Sequence, residues 1–248
     1  MTSRPRSMLT DPRHYDAAHT WRTDDVRFFA GLVTPGLRVL ELGCGTGRIA
    51  IPMAQAGARV TAIDVDAAMV EHGRTKYPDL AWHVADMRSF EAPLDQDLVV
   101  LAFNAINLLE PADALGCLVN VKRHLAPGGR LVIDTMLPTF EKIATSDIEQ
   151  QISAYRVDDV DYRVTAKRRY DPSTQRRRME LAIYASGRAE PEHDAYDFHV
   201  YFPSELQLLV ERAGFAVEER FGGFDRSPLS RTSQRQILVC AIFDFGQT

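Results

Sequence analysis

Between residues 37 and 134, short apolar runs alternate with longer segments in which apolar residues recur at helical spacing. Continuous apolar runs separated by helical segments are typical of βαβ units, in which helices cover both faces of a parallel sheet. The predicted strands are 38–42, 58–64, 80–86, 97–103 and 129–134, and the predicted helices are 46–57, 65–77 and 113–125. This part of the chain is therefore predicted to form an α/β framework.

After residue 138 the pattern changes to a two-residue alternation, which indicates strands. Asp171-Pro172-Ser173-Thr174 joins two alternating segments, and proline there suits the second position of a turn. We expect a β-rich insertion over residues 138–202, within a framework formed by residues 1–137 and 203–248. The predicted elements are strands at 162–170, 179–185 and 196–202, a helix from 203 to 213, and closing strands at 215–221 and 236–243.

Composition narrows the class of protein. The chain has 248 residues, of which 45% are hydrophobic and 25% charged, as in a soluble globular protein. The net charge of −5 does not indicate a polyanion as partner. The three cysteines are widely spaced and predict neither a disulfide framework nor a metal site. Apolar runs such as Leu98 to Phe103 are far shorter than the roughly 20 residues of a membrane helix, so we expect a cytoplasmic protein with no membrane partner.

The strongest chemical signal is a glycine-rich loop, Gly43-Cys44-Gly45-Thr46-Gly47, between the first strand and a helix. Glycines allow a tight turn and close approach of a ligand, and a helix N-terminus presents unpaired N–H groups. A dinucleotide loop has a third glycine where this chain has Arg48. Asp64, at the end of the second strand, supplies a carboxylate for ribose hydroxyls, although it could instead cap the helix that begins near Asp66.

The successive motifs VLELGCGTGRIA, VTAIDVDAAMV, VADMRSF, DLVVLAFNAINLL and HLAPGGRLVID resemble those of class I S-adenosylmethionine-dependent methyltransferases in order and spacing. The resemblance extends over about residues 15 to 243. It implies a Rossmann-like, seven-stranded, mostly parallel sheet whose last strand, QILVCAIF, is antiparallel. It also implies S-adenosylmethionine as cofactor, bound across the carboxyl ends of the strands, with no metal required.

Motif positions in the resemblance imply which residues contact the cofactor. The glycines would line its methionine and ribose portions, Asp64 the ribose, and Asp86 with Met87 the adenine. Asp86 directly follows the third strand, where a carboxylate can accept a hydrogen bond from the adenine amino group, although it could instead cap a helix before Arg88. The implied contacts in this part of the chain are Glu41, Gly43, Cys44, Gly45, Gly47, Asp64, Val65, Asp86, Met87 and Phe103.

A finer resemblance precedes the first strand. Tyr15 and Arg22, followed by the amphipathic segment DDVRFFAGLV, look like the corresponding region of glycine and deoxysugar N-methyltransferases. The resemblance implies that both residues hold the methionine carboxylate of the cofactor, and an arginine fork suits a carboxylate. A solvated arginine is the alternative for Arg22.

Substrate contacts are predicted in two places. Asn104 and Asn107 follow the fourth strand, where class I enzymes place substrate contacts, and either could instead cap the next helix. The N-P-P-Y signature of enzymes that methylate nucleobases and planar amides is absent there. In the insertion, alternation places His199 and Tyr201 on one strand face, so His199 is the candidate general base and Tyr201 a candidate substrate contact. An exposed polar strand face is the alternative.

The predicted hairpin carries the densest positive charge. Its basic residues, with Asp171 as the single acid among them, are Arg163, Lys167, Arg168, Arg169, Arg176, Arg177 and Arg178. A solvated face, an intersubunit surface of a homodimer, an anionic substrate or RNA could each explain them.

The sequence therefore predicts methylation of a small molecule, with nitrogen favoured over oxygen as the acceptor atom and nucleic acid disfavoured as the substrate. Three alternatives stay open, namely an RNA methyltransferase, an NAD-linked oxidoreductase and a non-catalytic adenosyl-binding module.

Overall fold

The computed structural model describes residues 11–243. They divide into two compact units. The framework unit contains residues 23–137 and 201–243, and the insertion unit contains residues 11–22 and 138–200. The predicted division differs at the N-terminus, because residues 11–22 belong with the insertion and not with the framework.

The framework unit is built on a seven-stranded sheet of order β10-β11-β5-β4-β1-β2-β3. All strands run parallel except β11, which is antiparallel to both β5 and β10. This confirms the predicted sheet with its antiparallel last strand. The strands are β1 (Arg38–Leu42), β2 (Arg59–Asp64), β3 (Ala81–Val84), β4 (Gln96–Leu101), β5 (Leu125–Met136), β10 (Phe215–Phe221) and β11 (Arg235–Ile242).

Helices cover both faces of this sheet. Leu40 and Leu42 of β1 belong to one apolar cluster, whereas Val39 belongs to another on the opposite face. A sheet buried on both faces explains why its strands are continuous apolar runs. The helices of the framework unit are α2 (Asp24–Ala30), α3 (Ala50–Gln55), α4 (Ala67–Lys76), α5 (Pro111–His124) and α7 (Pro203–Arg212), with a 3-10 turn at Ala105–Leu108.

The insertion unit is a four-stranded antiparallel sheet of order β6-β7-β8-β9. Its strands are β6 (Ser146–Val157), β7 (Val160–Asp171), β8 (Arg176–Ala185) and β9 (Glu192–His199), and its helices are α1 (Pro12–His19) and α6 (Phe140–Ile143). The predicted hairpin is confirmed as β7 and β8. Ala18 of α1 packs on an apolar cluster that includes Tyr155, Val164 and Leu181.

Two boundaries differ from the prediction. Strand β5 begins at Leu125 and takes in the segment predicted as a turn, because Gln96 pairs with Leu125 and the residues up to Gly129 form an irregularity before Leu98 pairs with Arg130. The strand predicted over 196–202 ends at His199. No helix within residues 11–243 is both long and apolar enough to span a membrane.

Candidate functional site

The glycine-rich loop lies at the carboxyl end of β1. Gly43, Gly45 and Gly47 have φ angles of 75°, 55° and 83°, a region that side chains other than glycine rarely adopt. The amides of Gly43 and Cys44 both donate to the carbonyl oxygen of Ile63, at 2.8 and 3.0 Å. The loop is thereby fixed to the end of β2, with Gly43 and Gly45 partly exposed.

Gly47 has a different role from the other two glycines. It is buried, and a Cβ added there would stand 2.4 Å from the indole of Trp82 in β3. Gly47 therefore permits close packing of the loop on β3, which is the role of the third glycine in a dinucleotide loop. The contact of Gly47 with the cofactor stays a prediction.

Asp64 braces the loop from the end of β2. Its carboxylate accepts hydrogen bonds from the amide of Gly45 at 2.7 Å and from the amide of Asp66 at 2.9 Å. Burial raises the pKa of Asp64, and these amide donors oppose the rise. The cap of α4 is Asp66, whose side chain accepts from Ala68 and Met69. The helix-cap alternative for Asp64 is therefore wrong, and ribose recognition stays its predicted role.

Glu41 lies buried at the end of β1, and burial raises the pKa of its carboxyl group to about 8. The amide of Ala50 and the charge of Arg48 oppose that rise. Oε2 of Glu41 has no hydrogen-bond partner among the described residues. Glu41 thus places a polar atom beneath the loop, and its contact with the cofactor stays a prediction.

Cys44, also predicted to contact the cofactor, is buried within the loop, and burial raises the pKa of its thiol. The structure therefore does not make it a reactive thiolate.

The side predicted to hold adenine lies next to Gly43. A Cβ added to Gly43 would stand 3.7 Å from the methyl group of Met87 and 3.0 Å from Cβ of Ala105. Val65, which follows β2, is 67% exposed. An apolar side chain presented to solvent beside a glycine loop suits packing against a planar ring.

The carboxylate of Asp86 already accepts hydrogen bonds from Arg88. Arg88 donates to its carboxylate through the backbone amide at 2.9 Å and through the guanidinium, and these contacts lower the pKa of Asp86. No helix begins there, so the cap alternative is corrected to a local turn. The adenine contact of Asp86 stays a prediction, and the ligand would have to share or replace Arg88.

After β4 the chain makes a strained turn. Phe103 and Asn104 are both left-handed, with φ of 53° and 65°, and such a residue costs roughly 1–3 kcal/mol. Asp134 accepts from the amide of Phe103 through Oδ2 at 2.9 Å and from the amide of Asn104 through its carbonyl oxygen at 3.0 Å. The guanidinium of Arg48 lies 4.8 Å from the centroid of the Phe103 ring.

The two asparagines secure this turn. Oδ1 of Asn104 accepts from the amide of Met136 at 2.7 Å and makes no capping bond, so the cap alternative is wrong for Asn104. Asn107 is buried, and its Oδ1 accepts from the hydroxyl of Thr135. Both side chains thus tie the turn to the end of β5, and their contact with the acceptor stays a prediction.

The remaining predicted residues fall in both units. His199 is buried at the end of β9, opposite Arg176, so the exposed-face alternative is wrong for His199. Tyr201 lies in the framework core, where its hydroxyl donates to the carbonyl of Leu109 at 2.9 Å. This corrects the expectation that one strand presents both residues together, and the contact of Tyr201 with the substrate stays a prediction.

The two N-terminal candidates both lie in the insertion unit. The ring of Tyr15 in α1 lies 4.5 Å from that of His19, measured between centroids. The guanidinium of Arg22 lies 4.8 Å from the centroid of the Trp21 ring. Their contact with a cofactor carboxylate stays a prediction.

The basic hairpin is largely neutralised within its own sheet. Arg169 pairs with Asp147 of β6 at 2.6 Å, and Arg178 pairs with Asp197 of β9 at 2.9 Å. Arg177 is buried, with its guanidinium 5.4 Å from the centroid of the Phe198 ring, and burial lowers its pKa to about 10. Arg177 is therefore the exception to the solvated face, which stays one of the open alternatives for the other basic residues.

Sequence reasoning missed two buried ion pairs near the loop. Arg48 forks onto Asp25 of α2 at 2.9 and 2.8 Å, and Arg235 contacts Asp134 at 2.7 Å through Nε and 2.6 Å through Nη2. Each pair joins residues distant along the chain, so no local motif marks it.

Comparison with known proteins places this site in a family. Residues 39–129 match the methyltransferase domain family. The cypemycin N-terminal methyltransferase of a Streptomyces species is 25% identical over 93% of this chain and 98% of its own length. A dTDP-4-amino-2,3,4,6-tetradeoxy-D-glucose N,N-dimethyltransferase of Saccharopolyspora spinosa is 31% identical over 52% of this chain and 56% of its own length. The chain spans about half the length of most curated relatives that it matches.

The fold agrees with this assignment. The CcbJ methyltransferase of Streptomyces caelestis superposes with a TM-score of 0.76, at 23% identity, over 90% of this chain and 97% of that one. The fold and the glycine loop together define a class I methyltransferase. Residues 39–129 thus form a methyltransferase domain, within the fold of the class I, S-adenosylmethionine-dependent methyltransferases.

Proposed function

We propose that this protein transfers a methyl group from S-adenosylmethionine to a nitrogen atom of a small molecule. The observation that carries the proposal is the convergence of the left-handed glycine loop, Asp64 and Met87 at the carboxyl ends of β1, β2 and β3. One relative is named an N-terminal methyltransferase and another an N,N-dimethyltransferase, and both names support nitrogen as the acceptor atom.

The residues present suit the cofactor. Gly43 and Gly45 leave a surface without side chains, beside which Asp64 has a carboxylate already aligned by the loop amides. Val65 and Met87 offer apolar contacts to a planar ring. When bound, S-adenosylmethionine supplies an electrophilic methyl group on a positively charged sulfur, so the protein needs to align the acceptor and accept a proton.

His199 is the candidate for accepting that proton. An amine nitrogen loses a proton once it has gained a methyl group, and a ring nitrogen of a histidine can accept it. Asn104 and Asn107, on the turn after β4, are the candidates for contacting the acceptor.

Two alternative functions lose support. NAD is disfavoured because Arg48, with its side chain on Asp25, stands where a dinucleotide loop has its third glycine. An RNA-binding arm needs cations available to phosphates, whereas Arg169 and Arg178 already face carboxylates.

Isothermal titration with S-adenosylhomocysteine, S-adenosylmethionine and NAD tests the donor. We expect both adenosyl compounds to bind and NAD not to bind. Binding of NAD without S-adenosylhomocysteine would overturn the proposal.

Radiolabelled S-adenosylmethionine, offered with pools of amine metabolites, hydroxylated metabolites and RNA, then tests the acceptor. Label in the amine pool supports the proposal, and label in the RNA alone contradicts it. A protein that binds the donor and labels none of the pools would favour the non-catalytic alternative.

His199→Asn tests the base. We expect slower turnover with the affinity for S-adenosylhomocysteine largely retained, because His199 lies outside the glycine-loop framework. Unchanged turnover across the pH range would remove His199 from the reaction.

A further inference from the structure

The turn after β4 is held in an unfavourable conformation by a buried ion pair. Phe103 is the more demanding of its two left-handed residues, since a bulky side chain disfavours positive φ more than asparagine does. The conformation persists only where surrounding contacts impose it.

Those contacts converge on the carboxylate of Asp134. Asp134 is completely buried and lies just past the last paired residues of β4 and β5, Leu101 and Ile133. Its Oδ2 accepts from the Phe103 amide, and its Oδ1 accepts from Nε of Arg235 at 2.7 Å. A buried carboxylate needs such compensation to stay charged in place.

Arg235 is fixed in turn by its position. It is the first residue of β11, where it pairs in register with Met136, and its side chain is 12% exposed. The guanidinium also lies 5.8 Å from the centroid of the Phe224 ring. The antiparallel last strand thus contributes a cation to the turn after β4.

The turn borders the donor site. Ala105, two residues after Phe103, is the neighbour that a Cβ on Gly43 would meet at 3.0 Å. Arg48, which follows Gly47, stacks on the Phe103 ring. A relaxed turn would therefore move the wall that faces the glycine loop.

We infer that Asp134 and Arg235 are positioning residues that hold the Phe103–Asn104 turn as one wall of the donor site. This inference rests on the proposed function for what the wall faces. The restraint on the turn itself is measurable whatever the protein binds.

The experiment compares Asp134→Asn with two controls. Asp97→Asn removes the charge from an ion pair of similar form at the amino ends of β1 and β4, away from the turn. In that pair, Arg38 donates to Asp97 through its backbone amide at 2.9 Å, through Nε at 3.0 Å and through Nη2 at 2.7 Å. Val164→Ala empties part of the apolar cluster of the insertion unit, to which no residue of the turn belongs, and lowers stability.

Two readouts are needed for each variant. One is amide hydrogen exchange of the peptide spanning residues 102–109, followed by mass spectrometry. The other is the dissociation constant for S-adenosylhomocysteine. We expect Asp134→Asn to speed exchange in that peptide at least about tenfold and to weaken binding by about three- to tenfold, with neither control doing so.

Arg235→Lys and Arg235→Met provide a second series should Asp134→Asn fail to fold. We expect lysine at position 235 to retain most of the protection of the 102–109 peptide from exchange and methionine to lose it.

Unchanged exchange in the 102–109 peptide, in Asp134→Asn or in Arg235→Met, would overturn the inference. Faster exchange with unchanged S-adenosylhomocysteine affinity would overturn the part that makes the turn a donor wall. Failure of the parent protein to bind S-adenosylhomocysteine would refute the proposed function, and the exchange data would still decide the restraint.

Discussion

The framework and insertion units differ in which faces of their sheets are buried. The framework sheet is covered on both faces, and its functional groups lie where buried strands end. The insertion sheet packs one face on α1 and carries ion pairs such as Arg178–Asp197 between its strands. The first unit contains the whole segment that matches the methyltransferase domain family, and the second contains none of it.

This difference bears on how function is distributed. Binding a common cofactor needs glycines, a carboxylate and backbone amides at fixed places, which leaves a recognisable motif. Binding a particular acceptor needs only side chains of suitable shape and charge on a stable sheet, for which many sequences serve. We therefore expect substitutions at the glycine loop and its neighbours in the framework to alter donor affinity and substitutions in the insertion sheet to leave it unchanged.

The largest effect is expected from Gly47→Ala. The new Cβ would meet Trp82 at 2.4 Å in a backbone with φ of 83°, so we expect a loss of stability of about 3 kcal/mol or more and loss of S-adenosylhomocysteine binding. Gly116→Ala is the matched control, because Gly116 is an exposed position of α5 with nothing within 4 Å of an added Cβ. It should gain about 0.5–1 kcal/mol. Urea denaturation and calorimetry measure both variants, and normal binding by Gly47→Ala would contradict the packing role.

Asp64→Asn should weaken S-adenosylhomocysteine binding by roughly tenfold or more, because a hydrogen bond to a charged group contributes about 1.5–3 kcal/mol. Asp66→Asn is the control at the neighbouring cap, and since asparagine also caps helices, it should change little. Calorimetry distinguishes the two variants. Equal affinities in both would show that Asp64 only braces the loop.

Glu41→Gln tests the buried carboxyl beneath the loop through pH. Because burial raises the pKa of Glu41 to about 8, the folded protein holds a proton that the unfolded chain releases above its ordinary value near 4.5. The stability of the parent should therefore fall, relative to Glu41→Gln, as pH rises from about 5 to 8. The slope should approach about 1.4 kcal/mol for each pH unit between those two pKa values.

Urea titrations at several pH values within that range measure the difference for Glu41→Gln. The exposed Glu91→Gln serves as control. A constant difference between Glu41→Gln and the parent would show that Glu41 ionises normally.

The smallest effect is expected from Arg178→Gln in the insertion sheet. It removes the pair with Asp197, and an exposed ion pair contributes about 0–1 kcal/mol, less at high salt. Thermal denaturation at low and high salt measures that loss. The affinity for S-adenosylhomocysteine should not change. A change comparable with that of Asp64→Asn would contradict the expectation that the insertion sheet leaves donor affinity unchanged.

Several features of this protein follow from local sequence. The alternation of apolar runs and helical segments predicted the framework sheet, because a strand buried on both faces has to be apolar throughout. Asp171-Pro172-Ser173-Thr174 predicted the hairpin, because its turn chemistry is local. The spacing of Gly43, Gly45 and Asp64 predicted a glycine loop with an acid at the end of the next strand, since glycines act through backbone conformation, whereas the bond from Gly45 to Asp64 was not predicted.

Strand β6 was not predicted individually, because its segment is mostly polar and mostly exposed, so it has no buried face to reveal its alternation. The packing of residues 11–22 with the insertion was also missed, since α1 covers a sheet that begins more than a hundred residues later.

Only the tertiary structure decided what each site residue contacts. Gly47 packs on Trp82, Tyr201 bonds to Leu109, and Asp134 joins Phe103 to Arg235. Each contact partner is distant in sequence and becomes a neighbour through the order of the strands. Neither hydrophobic periodicity nor a local motif can therefore identify these partners. The sequence by itself determined which elements form and where the glycine loop stands, whereas the packing of those elements determined which side chains hold it.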